Sequence, residues 1–138
     1  MKKIIISGLV AGLAMLVVGA MLGFLSGAVF PSLKTAYLNT ALFRPFTDPI
    51  FISVFAIQPF VAGLLLSWLW SKTNSILKGK DLYRKGISFG LVYWVIMSLG
   101  LMLGYASSPI PLLMIASWSV SLLAQALCAG LIYAKMNK

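Results

Sequence analysis

The sequence predicts an all-α fold, specifically an integral membrane bundle of four transmembrane helices with both termini in the cytoplasm. Of its residues, 61% are hydrophobic and only 9% are charged, and the mean hydropathy is +1.01. Soluble domains carry roughly 25% charged residues, so lipid is the solvent that suits most of this chain. Four apolar segments of spanning length and their short connections occupy the whole chain, which predicts one transmembrane domain over residues 1–138. The predicted spans are 4–29, 49–70, 86–105 and 111–133.

The first span has a face made of glycine. Its glycines recur at spacings of four and seven residues, which places them on one side of a helix: Gly8, Gly12, Gly19, Gly23 and Gly27. Such a face lets a neighbouring helix approach closely in lipid. The partner is either another span of this chain or a second copy. A signal peptide is the alternative interpretation of this segment, but its apolar region would be only about 7–15 residues long.

The second span begins with a capping signal. Asp48 can accept hydrogen bonds from the first amides of the helix, and Pro49 fits the first helical position because it has no N–H to satisfy. Pro59 lies inside the span, where it removes one backbone hydrogen bond and predicts a kink that can act as a hinge. Trp68 and Trp70 close the span as interfacial anchors.

The fourth span has a weakly polar stripe. Ser117, Ser121, Gln125 and Cys128 follow one another at helical spacings, which predicts that they face the inside of the bundle. Gln125 lies in a segment similar to the one around Gln58 in the second span, and residues 18–24 similarly resemble residues 99–105. Two interpretations stay open, either a duplicated helical hairpin or chance similarity in a chain rich in Gly, Ala and Leu.

The cations predict the orientation in the membrane. Nine of the eleven lie before the first span, between the second and third, or after the fourth. The positive-inside rule then places both termini and the loop at 71–85 in the cytoplasm. We expect the lipid bilayer as the main partner, with anionic headgroups at that loop, in the cytoplasmic membrane of a bacterium or archaeon. Since the cations lie in the gaps between apolar runs, nucleic acid is not an expected partner.

Several kinds of chemistry are excluded by composition. The chain has no histidine and no glutamate, and it has two acids and one cysteine. No metal site or cofactor is therefore expected, and neither is an intramembrane proton relay. The remaining catalytic candidates are Asp48 and Arg44, which could pair at the outer surface. Their simpler role is to cap a helix and to reach lipid headgroups.

Three functions remain open at this point. The first is a non-enzymatic packing or accessory component, either a homo-oligomer or a partner of another membrane protein, which the glycine faces favour. The second is a passive pore or carrier for a small neutral or anionic solute, with Pro59 as its moving part and a lining of Gln58, Gln125, Ser121 and Ser98. The third is an interfacial enzyme that acts on lipid through Asp48 and Arg44.

Overall fold

The computed structural model describes residues 1–77 and 81–137, and all regular structure in these residues is helical. The helices are α1 (Lys2–Val29), α2 (Pro31–Tyr37), α3 (Pro49–Thr73), α4 (Leu82–Ser107) and α5 (Leu112–Met136). All but α2 are long and apolar enough to cross a membrane. The prediction of an all-α protein with four apolar spanning-length helices is confirmed.

Two aspartates fix where helices begin. The backbone N–H of Ile50 donates to Asp48 Oδ1 at 2.8 Å, and Pro49 occupies the first helical position of α3. In the same way, the N–H of Arg84 donates to Asp81 Oδ1 at 2.7 Å. Because Asp81 caps α4, this helix begins at Leu82, ahead of the apolar run predicted from residue 86.

The four long helices are arranged as an incomplete ring. α1 packs against α3 on one side and α5 on the other, and α5 packs against α4. α3 and α4 meet through the rings of Trp70 and Phe89, whose centroids are 5.4 Å apart. That contact lies at the end of the bundle where α1 and α4 begin and α3 and α5 end, here called the basic end. The opposite end is called the open end.

Glycines bring the helices of each neighbouring pair into backbone contact near the basic end. A Cβ added at Gly12 of α1 would lie 2.7 Å from the Cα of Phe60 in α3. A Cβ added at Gly90 of α4 would lie 2.6 Å from the carbonyl oxygen of Ala126 in α5. Both crossings leave no room for a side chain, as in the close helix pairs that small residues allow in membranes.

Hydrogen bonds and aromatic packing complete the basic end. The hydroxyls of Ser7 and Ser67, both fully buried, are 2.7 Å apart and join α1 to α3. The hydroxyl of Tyr133 donates to the carbonyl oxygen of Gly63 at 2.9 Å, which joins α5 to α3. The rings of Tyr133 and Phe89 pack edge to face with centroids 6.0 Å apart. The basic end is therefore closed.

The helices diverge toward the open end. Added Cβ atoms at Gly23 and Gly27 of α1, and at Gly100 and Gly104 of α4, would have no atom within 4 Å. The same glycine spacing thus has two outcomes along α1, since an added Cβ at Gly8 or Gly12 would meet α3 whereas one at Gly23 or Gly27 would meet no atom. This divergence leaves space between the helices.

Candidate functional site

A cavity of about 420 Å³ fills the space between the diverging helices at the open end. Its walls are mostly apolar, with Met15 and Leu22 from α1, Phe55 from α3, Met97 from α4 and Leu122 from α5. The polar groups that line it belong to Ser26, Tyr37, Gln58, Ser117, Trp118, Ser121 and Gln125. Its size lies within the range of about 300–1,000 Å³ that is usual for small-molecule sites.

The two glutamines predicted to form a polar core line this one cavity. Gln125 Nε2 donates to Ser121 Oγ at 3.0 Å, which leaves the amide oxygen of Gln125 available. Gln58 is exposed, and no hydrogen bond joins its amide to the described residues. At a rise of 1.5 Å per residue, Gln58 lies about 14 Å along α3 from the open end and Gln125 about 20 Å along α5. Both amides are therefore near the middle of the bundle.

Glycine also shapes this cavity. Gly19 and Gly23 line it on the α1 side, and an added Cβ at Gly19 would lie 3.0 Å from Gln125 Nε2. At Gly23 the space is open. Toward the open end the glycine face, at Gly19 and Gly23, provides room in the cavity. Toward the basic end the same face, at Gly8 and Gly12, contacts α3.

An aromatic cover closes the cavity toward the open end. It consists of Tyr37, Phe43, Phe46 and Trp118. The indole Nε1 of Trp118 in α5 donates to the hydroxyl oxygen of Tyr37 in α2. The ring of Phe43 packs against Tyr37 at 5.7 Å and against Trp118 at 6.2 Å between centroids, and Phe46 packs against Tyr37 at 5.8 Å. Burial raises the pKa of Tyr37 and outweighs the opposing effect of the bond from Trp118, so this phenol stays neutral at physiological pH.

Arg44 and Asp48 lie outside this cavity. They form an ion pair of 3.1 Å in the connection that precedes α3, with 60% of the Arg44 side chain exposed. The hydrogen bond from the Ile50 N–H is the main cause that lowers the pKa of Asp48, and Arg44 adds a smaller effect. Asp48 thus caps α3 in this structure, and neither residue lines the cavity.

Replacing Asp48 by alanine is expected to lower the stability of the protein at neutral pH and to leave it unchanged in acid. Because folding lowers the pKa of this carboxyl, its stabilising effect is complete above the unfolded-state value of about 3.9 and disappears as the pH falls through the folded-state value. The difference in melting temperature between wild type and Asp48→Ala, taken at about pH 7 and at about pH 2, measures this pH-dependent stabilisation. Equal melting differences at both pH values would contradict a role for the ionised cap.

Two other predicted residues have different surroundings. Pro59 is buried and lines the cavity, and its carbonyl oxygen lies beside Gly12 at the α1–α3 crossing, while its role as a hinge stays a prediction. Ser98 does not line the cavity, and its hydroxyl donates to the carbonyl oxygen of Trp94 at 2.8 Å. The structure therefore brings together Gln58, Gln125 and Ser121 but not Ser98.

The sequence did not indicate that Tyr37 and Trp118 belong to the site. Their hydrogen bond joins residues 81 positions apart, and neither lies in a recognisable motif. Ser117 was placed on the inward stripe of the fourth span, and it lines the cavity. No periodicity of α4 pointed to Met97, because most of that helix is apolar on every side.

The described residues contain no group of three or more His, Cys, Asp or Glu side chains that could hold a metal ion. Comparisons with protein families, with curated proteins and with solved structures find no match to this chain.

Proposed function

We propose that this chain is a multi-pass membrane protein that binds a small uncharged molecule in the open-end cavity. The lining supports this, since it combines apolar walls with two carboxamides and three serines and includes no charged side chain among the described residues. A few convergent polar groups in an apolar pocket are typical of ligand sites. An ionic ligand would lose its hydration there without gaining a counter-ion.

The closed basic end favours a binding site over an open pore. A pore requires a continuous path, and the glycine crossings leave no space between the backbones of α1 and α3 or of α4 and α5. The side chains of Ser7, Ser67 and Tyr133 are fully buried between the helices at this end. We therefore propose that the glutamines predicted to line a pore or carrier instead line a closed binding site.

The proposed orientation places the basic end in the cytoplasm. Within the described residues the cations at this end are Lys2, Lys3, Lys72, Arg84, Lys85 and Lys135, whereas Lys34 and Arg44 lie at the open end. By the positive-inside rule we propose from this distribution that the basic end is cytoplasmic and that the 71–85 loop contacts anionic headgroups. Lys78, Lys80 and Lys138, which also entered that prediction, lie outside the described residues.

The two helix crossings support the proposal of a duplicated hairpin. Gly63 and Gly130 hold equivalent places in the similar segments of α3 and α5. Each contacts a pair of glycines four residues apart in the preceding long helix, Gly8 and Gly12 in one case and Gly86 and Gly90 in the other. The glycine pairs of α1 and α4 correspond at an offset of 78 residues, whereas residues 18–24 match 99–105 at an offset of 81, so the two crossings resemble each other in packing without sharing one alignment.

The other functions remain predictions with less support. A packing or accessory role would use glycines with open space beside them among the described residues, such as Gly27 and Gly100. A lipid-directed enzyme would need Asp48 and Arg44 beside a cleft. In the structure Arg44 pairs with Asp48, and Asp48 also accepts from the Ile50 N–H, so both side chains already have structural roles.

Binding can be measured with para-bromobenzyl alcohol, an uncharged probe whose bromine quenches indole fluorescence. We expect saturable quenching of Trp118, which lines the cavity, in protein purified in detergent. The double variant Gln58→Leu/Gln125→Leu should raise the dissociation constant by about tenfold or more, because one hydrogen bond of about 1.4 kcal/mol accounts for a factor of ten.

Two serines provide a matched pair for the same assay. Ser121→Ala should weaken binding, since Ser121 lines the cavity and accepts from Gln125. Ser98→Ala should leave binding unchanged, because Ser98 bonds only to its own helix. Quenching that rises linearly with probe concentration and is equal in all variants would overturn the proposed function.

A further inference from the structure

The cavity is covered toward water but open toward the side of the bundle. The aromatic cover joins α2 to α5 across its open-end face. On the side, α3 and α4 both line the cavity, through Phe55 and Gln58 on α3 and Met97 and Leu101 on α4. The backbones of these two helices do not pack along their length, in contrast to α1 and α5.

The missing contact breaks the symmetry expected of two similar hairpins. If α1 corresponds to α4 and α3 to α5, packing of α1 on α5 should be matched by packing of α4 on α3. Instead, α3 and α4 meet at the basic end through Trp70 and Phe89, and a gap separates them from there toward the open end. Two apolar side chains that line the cavity there, Phe55 on α3 and Met97 on α4, are 48% and 42% exposed.

A gap of this kind leads to hydrocarbon in a protein that spans a membrane. The amides of Gln58 and Gln125 lie about 14 and 20 Å from the open end, near the middle of a hydrocarbon core of about 30 Å. A ligand that reaches them through the gap must be soluble in lipid and must carry an uncharged polar group, because a charge at this depth is costly without a partner.

We infer that the ligand is a membrane-resident, uncharged amphiphile that enters between α3 and α4 and places a hydroxyl or carbonyl head between Gln58 and Gln125. The unpartnered Gln58 amide can donate to such a head, and the free amide oxygen of Gln125 can accept from a hydroxyl. The hydrocarbon chain then lies against Phe55, Met97 and Leu101, and its far end extends into the bilayer. This inference rests on the proposed function and specifies the class and route of its ligand.

The test uses protein in phospholipid vesicles that contain 2-bromododecan-1-ol, whose bromine lies beside the hydroxyl head, compared with the phosphate ester of the same alcohol. We expect saturable quenching of Trp118 by the alcohol, absent from Trp118→Phe, and none by the charged ester. Two variants of equal composition test the route. Met97→Phe/Leu101→Phe should slow the approach to quenching several-fold by narrowing the gap, whereas Leu99→Phe/Met102→Phe, on exposed positions outside the lining, should not.

The outcomes separate the two proposals. If para-bromobenzyl alcohol binds but the brominated dodecanol neither quenches Trp118 saturably nor competes, the ligand class is wrong and the binding site stands. Equal quenching by the phosphate ester would overturn the requirement for an uncharged head. Equal rates in the two double-phenylalanine variants would overturn the lateral route. If neither probe binds, the proposed function and the inference fail together.

Discussion

Replacing Gly23 by leucine is expected to weaken probe binding strongly while preserving the fold. Gly23 lines the cavity, and an added Cβ there has no atom within 4 Å, so the new side chain can extend into the empty space without a clash. We expect the dissociation constant of para-bromobenzyl alcohol to rise more than about tenfold, because the leucine occupies volume that the ligand needs. Stability should be unchanged or raised, since filling a cavity adds apolar contacts.

Ala20→Leu is the control for that variant. Ala20 is exposed, lies in the same helix and does not line the cavity, so the same increase in side-chain size falls outside the site. We expect wild-type affinity and wild-type melting from it. Binding retained by Gly23→Leu at full affinity would show that the probe occupies some other part of the protein.

Replacing Gly130 by alanine is expected to cause the largest loss of stability from a single methyl group. An added Cβ at Gly130 would overlap the carbonyl oxygen of Gly86 in α4, a backbone atom that cannot move unless the helices separate. Overpacking of this kind costs about 1–3 kcal/mol, and occasionally more. Unfolding in sodium dodecyl sulfate, followed by circular dichroism, measures the loss.

Gly100→Ala is the matched control, with the same chemical change in a helix of this bundle. Its Cβ would have no atom within 4 Å, so the higher helix propensity of alanine should leave the protein equally or slightly more stable. Equal destabilisation by the two variants would contradict the close crossing of α4 and α5. Dissociation of an oligomer by Gly100→Ala would instead indicate that this glycine contacts another chain.

The sequence was sufficient to predict the helices because its signals are local. Four apolar runs and the Asp48-Pro49 cap fix most helix positions in the described residues. The predicted span from residue 86 follows the apolar run, whereas α4 itself begins at Leu82, four residues earlier, because the Asp81 side chain caps it.

The site was only partly predictable because its geometry depends on how the helices diverge. The similar segments around Gln58 and Gln125 drew attention to both amides, which line one cavity. The glycine spacing in α1 could not reveal that Gly12 contacts a backbone and Gly23 faces empty space, since the pattern is the same at both. The bond between Tyr37 and Trp118 depends on the path of the α2 connection, which no periodicity specifies.

The most direct test of the binding site is a crystal structure of the protein with para-bromobenzyl alcohol, located by the anomalous scattering of its bromine. We predict a bromine peak inside the cavity between α3 and α4, with the alcohol oxygen within hydrogen-bond distance of Gln58 or Gln125. Bromine peaks confined to the outer, lipid-facing surface, with both amides bonded to each other or to the backbone, would contradict the account.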